Sequence, residues 1–344
     1  MNRERWLVTV RLSDIADAAG VSVMTVSNVM NGKRARVSES TISRVQEIAD
    51  RLGYVPNIQA RSLKASQSHI IAALVPVREN NSLLVSPHTA AVIGGVEQHL
   101  RQRGYHVLLR GIEHQEDIAN AVRGWSLDGA ILVEFTDAQI DSIQVDDVPL
   151  VAIDSYSTNP RTIGVRTDDH GGGRLAGSRL IEAGHRKLLF AGPPYEGMGV
   201  VGQRFDGFLA ACVDAGIGPG AVEIAEVLTT FEDGRALGLR LRRDFPDVTA
   251  VFATADVLAI GIVAGLGEAG AAIPGDISII GFDNLEVSAY TAPGLTTVAQ
   301  DMSGKVAEAA RIILGEIEAG EGPHAPVSLG VELVERGTVG PPRS

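Results

Sequence analysis

Leu12-Ser13-Asp14-Ile15-Ala16-Asp17-Ala18-Ala19-Gly20-Val21-Ser22-Val23-Met24-Thr25-Val26-Ser27-Asn28-Val29-Met30-Asn31-Gly32 is the stretch on which the reading of this chain turns. Ser13 is placed to cap a helix over residues 14–19, with an acid in its first turn. Gly20 ends that helix, because glycine tolerates the left-handed conformation a sharp turn needs. Ser22 caps a second helix over 23–30, with Val26, Val29 and Met30 on one face and Val23, Met24, Ser27 and Asn28 on another. Ser38 caps a third, with Ile42, Val45, Ile48, Ala49 and Leu52 as its apolar stripe. Two short helices joined by a tight glycine turn and buttressed by a third describe a helix-turn-helix unit. The second helix of such a unit enters the major groove and uses its N-terminal residues on base edges. On pattern alone, a small helical bundle that binds nothing is the competing reading.

Charge separates this segment from the rest. The chain has 344 residues, 45% apolar and 21% charged, and carries a net charge of -12. That length is roughly two to three domains' worth. Residues 1–64 hold ten Lys or Arg against six Asp or Glu, a net of +4, while the remaining 280 hold 20 against 36, a net of -16. A basic end on an acidic body suggests that one part meets a polyanion and the other does not. The single cysteine, Cys212, excludes an intrachain disulfide and a cysteine metal cluster. No apolar run reaches the roughly 18 residues a membrane span needs, and residues 1–6 carry no signal-peptide core. The expected location is the cytoplasm.

Residues 54–68 read as a connector containing Tyr54-Val55-Pro56-Asn57. From residue 69 the texture changes, and short apolar runs at 70–75, 105–109, 130–133, 150–153, 187–191, 250–253 and 277–282 alternate with helical stretches. That alternation predicts βαβ units and a parallel sheet covered on both faces. The end of the chain, Gly340-Pro341-Pro342-Arg343-Ser344, reads as frayed.

The quoted stretch, continued through Val37-Ser38, Leu52-Gly53-Tyr54-Val55-Pro56-Asn57 and Ala60-Arg61-Ser62-Leu63-Lys64, resembles the LacI/GalR family of bacterial transcription regulators. The resemblance implies that Val23, Met24 and Asn28 stand where the family reads bases, and that Ser22, Thr25, Ser27 and Asn31 position the DNA backbone. Many relatives carry polar or basic groups where this chain has Val23 and Met24. Those two offer only apolar contact, best suited to thymine methyls, while Asn28 can pair with adenine. Lys33, Arg34 and Arg36 form either a solvated turn or phosphate contacts. Residues 57–64 resemble the family's hinge helix, in which Leu63 would wedge into a base step from the minor groove, with Arg61 and Lys64 beside it. So short a helix is marginal alone, which suits a switched element.

Residues 69–340 resemble the family's effector domain, a periplasmic-binding-protein-like α/β fold of two doubly wound lobes with the ligand between them. Val148-Pro149-Leu150-Val151-Ala152-Ile153-Asp154, 168–173, Gly184-His185-Arg186-Lys187, Arg204-Phe205-Asp206-Gly207, Gly281-Phe282-Asp283-Asn284 and Leu295-Thr296-Thr297-Val298 carry the match. The expected division is a DNA-binding head plus hinge over 1–66 and an effector and dimerisation domain over 67–344. Lobe one would hold about 69–165 and 294–324, and lobe two about 166–291 and 325–340. Matching positions nominate Arg204, Asp283, Phe231 and Asp154 for the effector: a guanidinium fork, two acids and a stacking ring. Asp256 would cap the helix that follows it. The family's Asn-Asp pair is here Ala255-Asp256, so a relative's specificity does not transfer.

Other strings carry less. Gly265-Leu266-Gly267-Glu268-Ala269-Gly270 has the dinucleotide spacing but ends a helix, the reverse of what pyrophosphate binding needs. Asp168-Asp169-His170 reads as a helix cap followed by its helix, His185 as a turn residue and Cys212 as buried and inert. No nucleophile, base and orienting group suggest an enzyme. The reading is a homodimeric, sequence-specific regulator, a repressor, of a pseudo-palindromic duplex operator, with no membrane partner and no cofactor. Its effector would be a small metabolite, a sugar or sugar derivative. A purine co-repressor is the alternative, and a solute-binding protein or a sugar-metabolising enzyme is more remote. The tail lacks the leucine heptad that makes some relatives tetramers.

Overall fold

The computed structural model describes residues 10–32, 37–54, 67–77, 86–114, 116–146, 148–195, 199–320 and 325–343. The chain divides into two compact units, Met1–Ser68 and His69–Ser344. No helix among the described residues is long and apolar enough to cross a membrane.

The described residues of the first unit form three helices, α1 (Leu12–Ala19), α2 (Val23–Met30) and α3 (Glu39–Leu52). Gly20, with φ of 61°, turns α1 into α2. Ser22 and Ser38 cap α2 and α3, their side chains accepting the N–H groups of Thr25 and Thr41. Ile15, Val26 and Val45 meet in the core, each with 0% exposure. Two expectations are corrected. Helix α1 begins two residues early, at Leu12, whose side chain packs on the head core. Ser13 therefore lies inside the helix, and Asp14 closes the end by accepting the Arg11 N–H at 2.8 Å. Leu52 ends the stripe of α3 38% exposed. The expected hinge, 57–64, lies outside the described residues.

The described residues of the second unit form two six-stranded sheets. The first contains β1 (Ile70–Pro76), β2 (His106–Ile112), β3 (Gly129–Leu132), β4 (Leu150–Ile153), β5 (Thr162–Thr167) and β11 (Val327–Leu329), in the order β2-β1-β3-β4-β5-β11. The second contains β6 (Leu188–Gly192), β7 (Val222–Glu226), β8 (Ala250–Ala253), β9 (Ser278–Asp283), β10 (Thr296–Gln300) and β12 (Val331–Val334), in the order β7-β6-β8-β9-β10-β12. All pairings are parallel except β10 with β12. Each sheet is thus a doubly wound lobe of the kind expected. Helices α4 (Pro87–Gln102), α5 (Glu116–Gly124), α6 (Asp137–Asp141) and α11 (Met302–Ala319) cover the first. Helices α7 (Asp169–Glu182), α8 (Val200–Asp214), α9 (Phe231–Asp244) and α10 (Asp256–Glu268) cover the second.

Sheet membership moves the expected lobe limits. Strand β10 continues the ladder from β9, pairing Thr296 with Ile280 and Ala299 with Asp283, so it stays in the second lobe. Strand β11 pairs with β5 and stays in the first. The chain therefore crosses between lobes near residues 168, 301 and 330. The first two crossings share one device: Asp168 and Asp301 cap α7 and α11, accepting the N–H of Gly171 and Gly304, each at 2.8 Å. The chain end is also corrected. Gly340 N–H donates to Ser278 Oγ at 3.0 Å and Arg343 reaches Asp276 at 2.6 Å, so the tail is docked as far as residue 343.

Close helix contact positions the site. A Cβ on Gly173 would lie 1.9 Å from the Arg204 carbonyl oxygen, and one on Gly207 1.9 Å from that of His170. Only glycine lets α7 and α8 touch backbone to backbone and so bring Asp169 beside Arg204. Gly265, part of the discounted fingerprint, serves the same end where α10 meets α9: its Cβ would lie 2.2 Å from the Arg235 oxygen.

Candidate functional site

In the head, α2 buries Val26 and Val29 and leaves Val23 48% and Met24 64% exposed. Two apolar side chains on a first helical turn have no packing reason to be in water. Around them, Ser22 and Thr25 pair their hydroxyls at 2.9 Å, and the Asn31 amide donates to the Ser27 carbonyl at 2.7 Å. Asn28 is half-buried. These contacts tie down both ends of the helix and fix its outer face. Arg61, Leu63 and Lys64, like Lys33, Arg34 and Arg36, lie outside the described residues.

The second unit gathers its charge at the carboxyl ends of the strands, between the lobes. Arg204, on the first turns of α8, is 6% exposed. Its Nε donates to Asp169 at 2.8 Å, an Nη donates to the Thr254 carbonyl at 2.5 Å, and its guanidinium lies 3.6 Å from the centre of the Phe282 ring. Burial would lower the Arg204 pKa, but the charges of Asp169 and Asp283 raise it. Burial outweighs Arg204 at Asp169 and pushes that carboxyl up. Tyr156 closes over the pair, donating to Asp169 at 3.0 Å while Arg166 stacks on its ring.

Asp154 directly follows β4, in the left-handed region with φ of 53°. It accepts from Lys305 Nζ at 2.5 Å and bonds His88 Nε2 at 2.9 Å. Burial would raise its pKa, but Lys305 and His88 hold the carboxyl far below the usual range. His88 responds in kind: burial works to lower its pKa, and the bond to Asp154 with the charges of Asp154 and Asp283 raises it. Lys305 also donates to Gln300 Oε1, and Gln300 Nε2 donates to Asp283 at 2.6 Å. A single hydrogen-bonded chain thus runs from α4 of one lobe to Asp283, the last residue of β9, in the other. Asp283 has φ of 113°. Non-glycine backbone so far into positive φ persists only where the surroundings enforce it, as functional sites do.

The structure therefore brings Arg204, Asp154 and Asp283 into one electrostatic cluster. Phe231, at the first position of α9 and 38% exposed, stands apart from it. It lines an open apolar groove of about 320 Å³ with Pro87, Val257, Ile260, Leu285, Val287, Tyr290 and Thr291. Asp256 is not a cap, a correction. Ala255 holds the N-cap position, and the Asp256 carboxylate instead accepts from Leu285 N–H at 2.8 Å, Ser288 at 2.5 Å and Thr297 at 2.5 Å. Burial and the neighbouring Asp283 push its pKa up to about 7. His185 is a buried strut rather than a turn residue, bonding Thr249 and the Gly340 carbonyl, each at 2.9 Å. Cys212 is buried, and burial pushes its thiol pKa up.

Sequence reasoning missed His88, Gln300 and Lys305. His88 and Gln300 carried no local signal. Lys305 did, since it falls on the apolar stripe of α11 with Val306, Ala309 and Ile313. Two cleft atoms, His88 Nδ1 and Thr254 Oγ1, are buried with no hydrogen-bond partner among the described residues.

Comparison with known proteins places this geometry. Residues 11–57 match the sequence model for bacterial regulatory proteins of the lacI family, and residues 178–339 that for a periplasmic binding protein-like domain. The chain is 31% identical over 336 residues to the HTH-type transcriptional repressor PurR of Pasteurella multocida, covering 95% of this chain and 98% of the relative. It is 33% identical over 319 residues to the HTH-type transcriptional regulator CelR of Thermobifida fusca, covering 89% and 91%. Among solved structures, the lac repressor dimer bound to operator and the anti-inducer ONPF superposes with a TM-score of 0.83 at 26% identity, covering 96% of this chain and 98% of that one. A CelR–cellobiose complex superposes with a TM-score of 0.69 at 28% identity, covering 96% and 100%.

Proposed function

This chain belongs to the LacI family of bacterial regulatory proteins, and from that premise we propose how its two units work together. It is a DNA-binding transcriptional repressor with a small-molecule effector. The head reads a pseudo-palindromic operator as a homodimer, one α2 per half-site. Val23, Met24 and Asn28 meet base edges, and Ser22, Thr25, Ser27 and Asn31 meet the backbone. Residues 57–64 act as the hinge, with Leu63 as wedge and Arg61 and Lys64 against phosphates. The observation that carries the DNA reading is the exposure of Val23 and Met24 on an otherwise well-packed head.

Arg204, Asp283 and Asp154 form the polar floor for the effector, and Phe231 its outer wall. Arg204 and Asp283 suit a molecule presenting neighbouring hydroxyls, and the relatives bound to cellobiose and ribose favour a carbohydrate. A purine co-repressor is the second reading, supported by the likeness to PurR and by the aromatic Phe231. The ligand is bound rather than transformed, and the protein works in the cytoplasm, beside the chromosome. Effector binding changes the angle between lobes, and the hinge helices form or melt in response. Such coupling amounts to about 1–3 kcal/mol and is reciprocal. Selection from a randomised duplex pool should yield a palindromic site, and hydrogen exchange at 57–64 should slow on that site. Loss or gain of that protection with a metabolite gives the sign of the response. Equal affinity for selected and scrambled duplexes, or unchanged exchange, would overturn the reading.

A further inference from the structure

Lys305 is 0% exposed, an uncommon place for an ammonium. It leaves the buried stripe of α11 and ends out of contact with water, behind a partly exposed Asp154, so its charge must be balanced where it lies. Asp154 does this with one oxygen and holds His88 with the other. Arg204 is likewise matched by Asp169. In this hydrogen-bonded cluster Lys305 and His88 share the Asp154 carboxylate, Arg204 has Asp169, and Asp283 bonds the neutral Gln300 amide.

We propose that Lys305 sets the charge selectivity of the effector cleft. Locked to Asp154, it cancels an acid without offering a cation to the ligand, so the cleft accepts neutral hydroxylated metabolites and refuses phosphates and carboxylates. The selectivity follows from pairing. A phosphate entering here finds each of these positive groups already paired with a carboxylate, and it must also approach Asp283, whose hydrogen-bond partner among the described residues is the neutral Gln300 amide. Breaking the Lys305–Asp154 pair to free the ammonium would leave a buried carboxylate short of its counter-charge, a larger loss than the anion returns. A neutral hydroxyl pays no such penalty, since it can donate to the free side of Asp283 and accept from Arg204. The inference rests on reading the cleft as the effector site.

The same arrangement hides an anion site. Asp154→Asn removes the counter-charge but leaves Lys305 where it is, and a small anion is then the nearest group that can balance it. The test uses the full chain and inorganic phosphate against chloride at matched ionic strength, read by thermal unfolding and titration calorimetry. A ligand of the folded state raises the melting temperature. Phosphate should leave the parent unmoved, stabilise Asp154→Asn and bind it at least about tenfold more tightly than the parent. The double variant Asp154→Asn with Lys305→Met should lose that gain. Should Asp154→Asn fold poorly, Asp154→Ser takes its place with the same expectation. Phosphate stabilising the parent, folded Asp154 variants with no gain, or a gain that survives Lys305→Met would each overturn the proposal. Operator selectivity is measured separately, so failure of the regulator reading would show there and not in these titrations.

Discussion

Gly207→Ala should be among the most damaging single-methyl changes in the second unit. The added Cβ would lie 1.9 Å from the His170 carbonyl oxygen and 3.0 Å from Arg174 N. Carbon and carbonyl oxygen approach no closer than about 3.3 Å, and both partners are backbone, so no side chain can swing aside. Helices α7 and α8 must separate by more than about an ångström, opening the core around Leu180, Phe208 and Cys212. Overpacking alone costs about 1–3 kcal/mol. The separation also strains the 2.8 Å bond between Arg204 Nε and Asp169, and disrupting a buried pair costs about 3–5 kcal/mol when complete. A loss of about 3 kcal/mol is therefore expected, with weaker effector binding and an intact head. Gly267→Ala is the control: this exposed position of α10 has nothing within 4 Å of its Cβ. There alanine should stabilise by about 0.5–1 kcal/mol, through helix propensity. Urea unfolding followed by circular dichroism reads both. A Gly207→Ala protein within about 0.5 kcal/mol of the parent, or a less stable Gly267→Ala protein, would refute the reasoning.

Replacing thymidine by deoxyuridine at operator positions facing Val23 and Met24 should weaken binding about fourfold per methyl, from about 0.8 kcal/mol of lost apolar burial; a titration showing no loss at any thymine would contradict the role given to these side chains. Ser38→Ala should cost the head about 1 kcal/mol by removing the cap of α3, read as a lower melting temperature of the head. Asp256, held up at about 7 by burial and by Asp283, keeps a proton that the unfolded chain releases near pH 4. Stability should therefore fall as pH rises from about 4 to about 7, and Asp256→Asn should flatten that slope; parallel slopes for the two proteins would rule out Asp256 as the titrating group. Gly304→Ala should disturb the crossing into α11, because its Cβ would lie 2.3 Å from Asp301 Oδ2; its unfolding midpoint should drop, while an unchanged midpoint would show that the crossing tolerates the methyl.

Much of this was legible along the chain. The helices of the head follow from the serine caps and the αL glycines Gly20 and Gly53, and all seven expected strands are present because apolar runs covered on both faces leave an unbroken signature. The strands that went unnoticed, β5, β7, β10, β11 and β12, are short, edge-placed or partly polar. Strand β7 exposes three of its five residues, so its residues lack the apolar continuity that marks a buried strand. Local periodicity also misjudged Asp256 and the chain end, whose partners lie tens of residues away.

What the sequence alone determined is whatever depends on neighbours within a helical turn or a strand: the second helix of the head with its exposed apolar pair, and the alternation of strand and helix; Arg204 and Asp283 were nominated by the family resemblance. What only the tertiary structure decided is which charges answer which. Asp154 and Lys305 are 151 residues apart, and His88 and Asp154 are 66 apart. Coulombic pairing in a water-poor cleft depends on distance through space and not along the chain. The charge balance of the site therefore came into existence when two lobes, crossed by the same chain at residues 168, 301 and 330, closed around it.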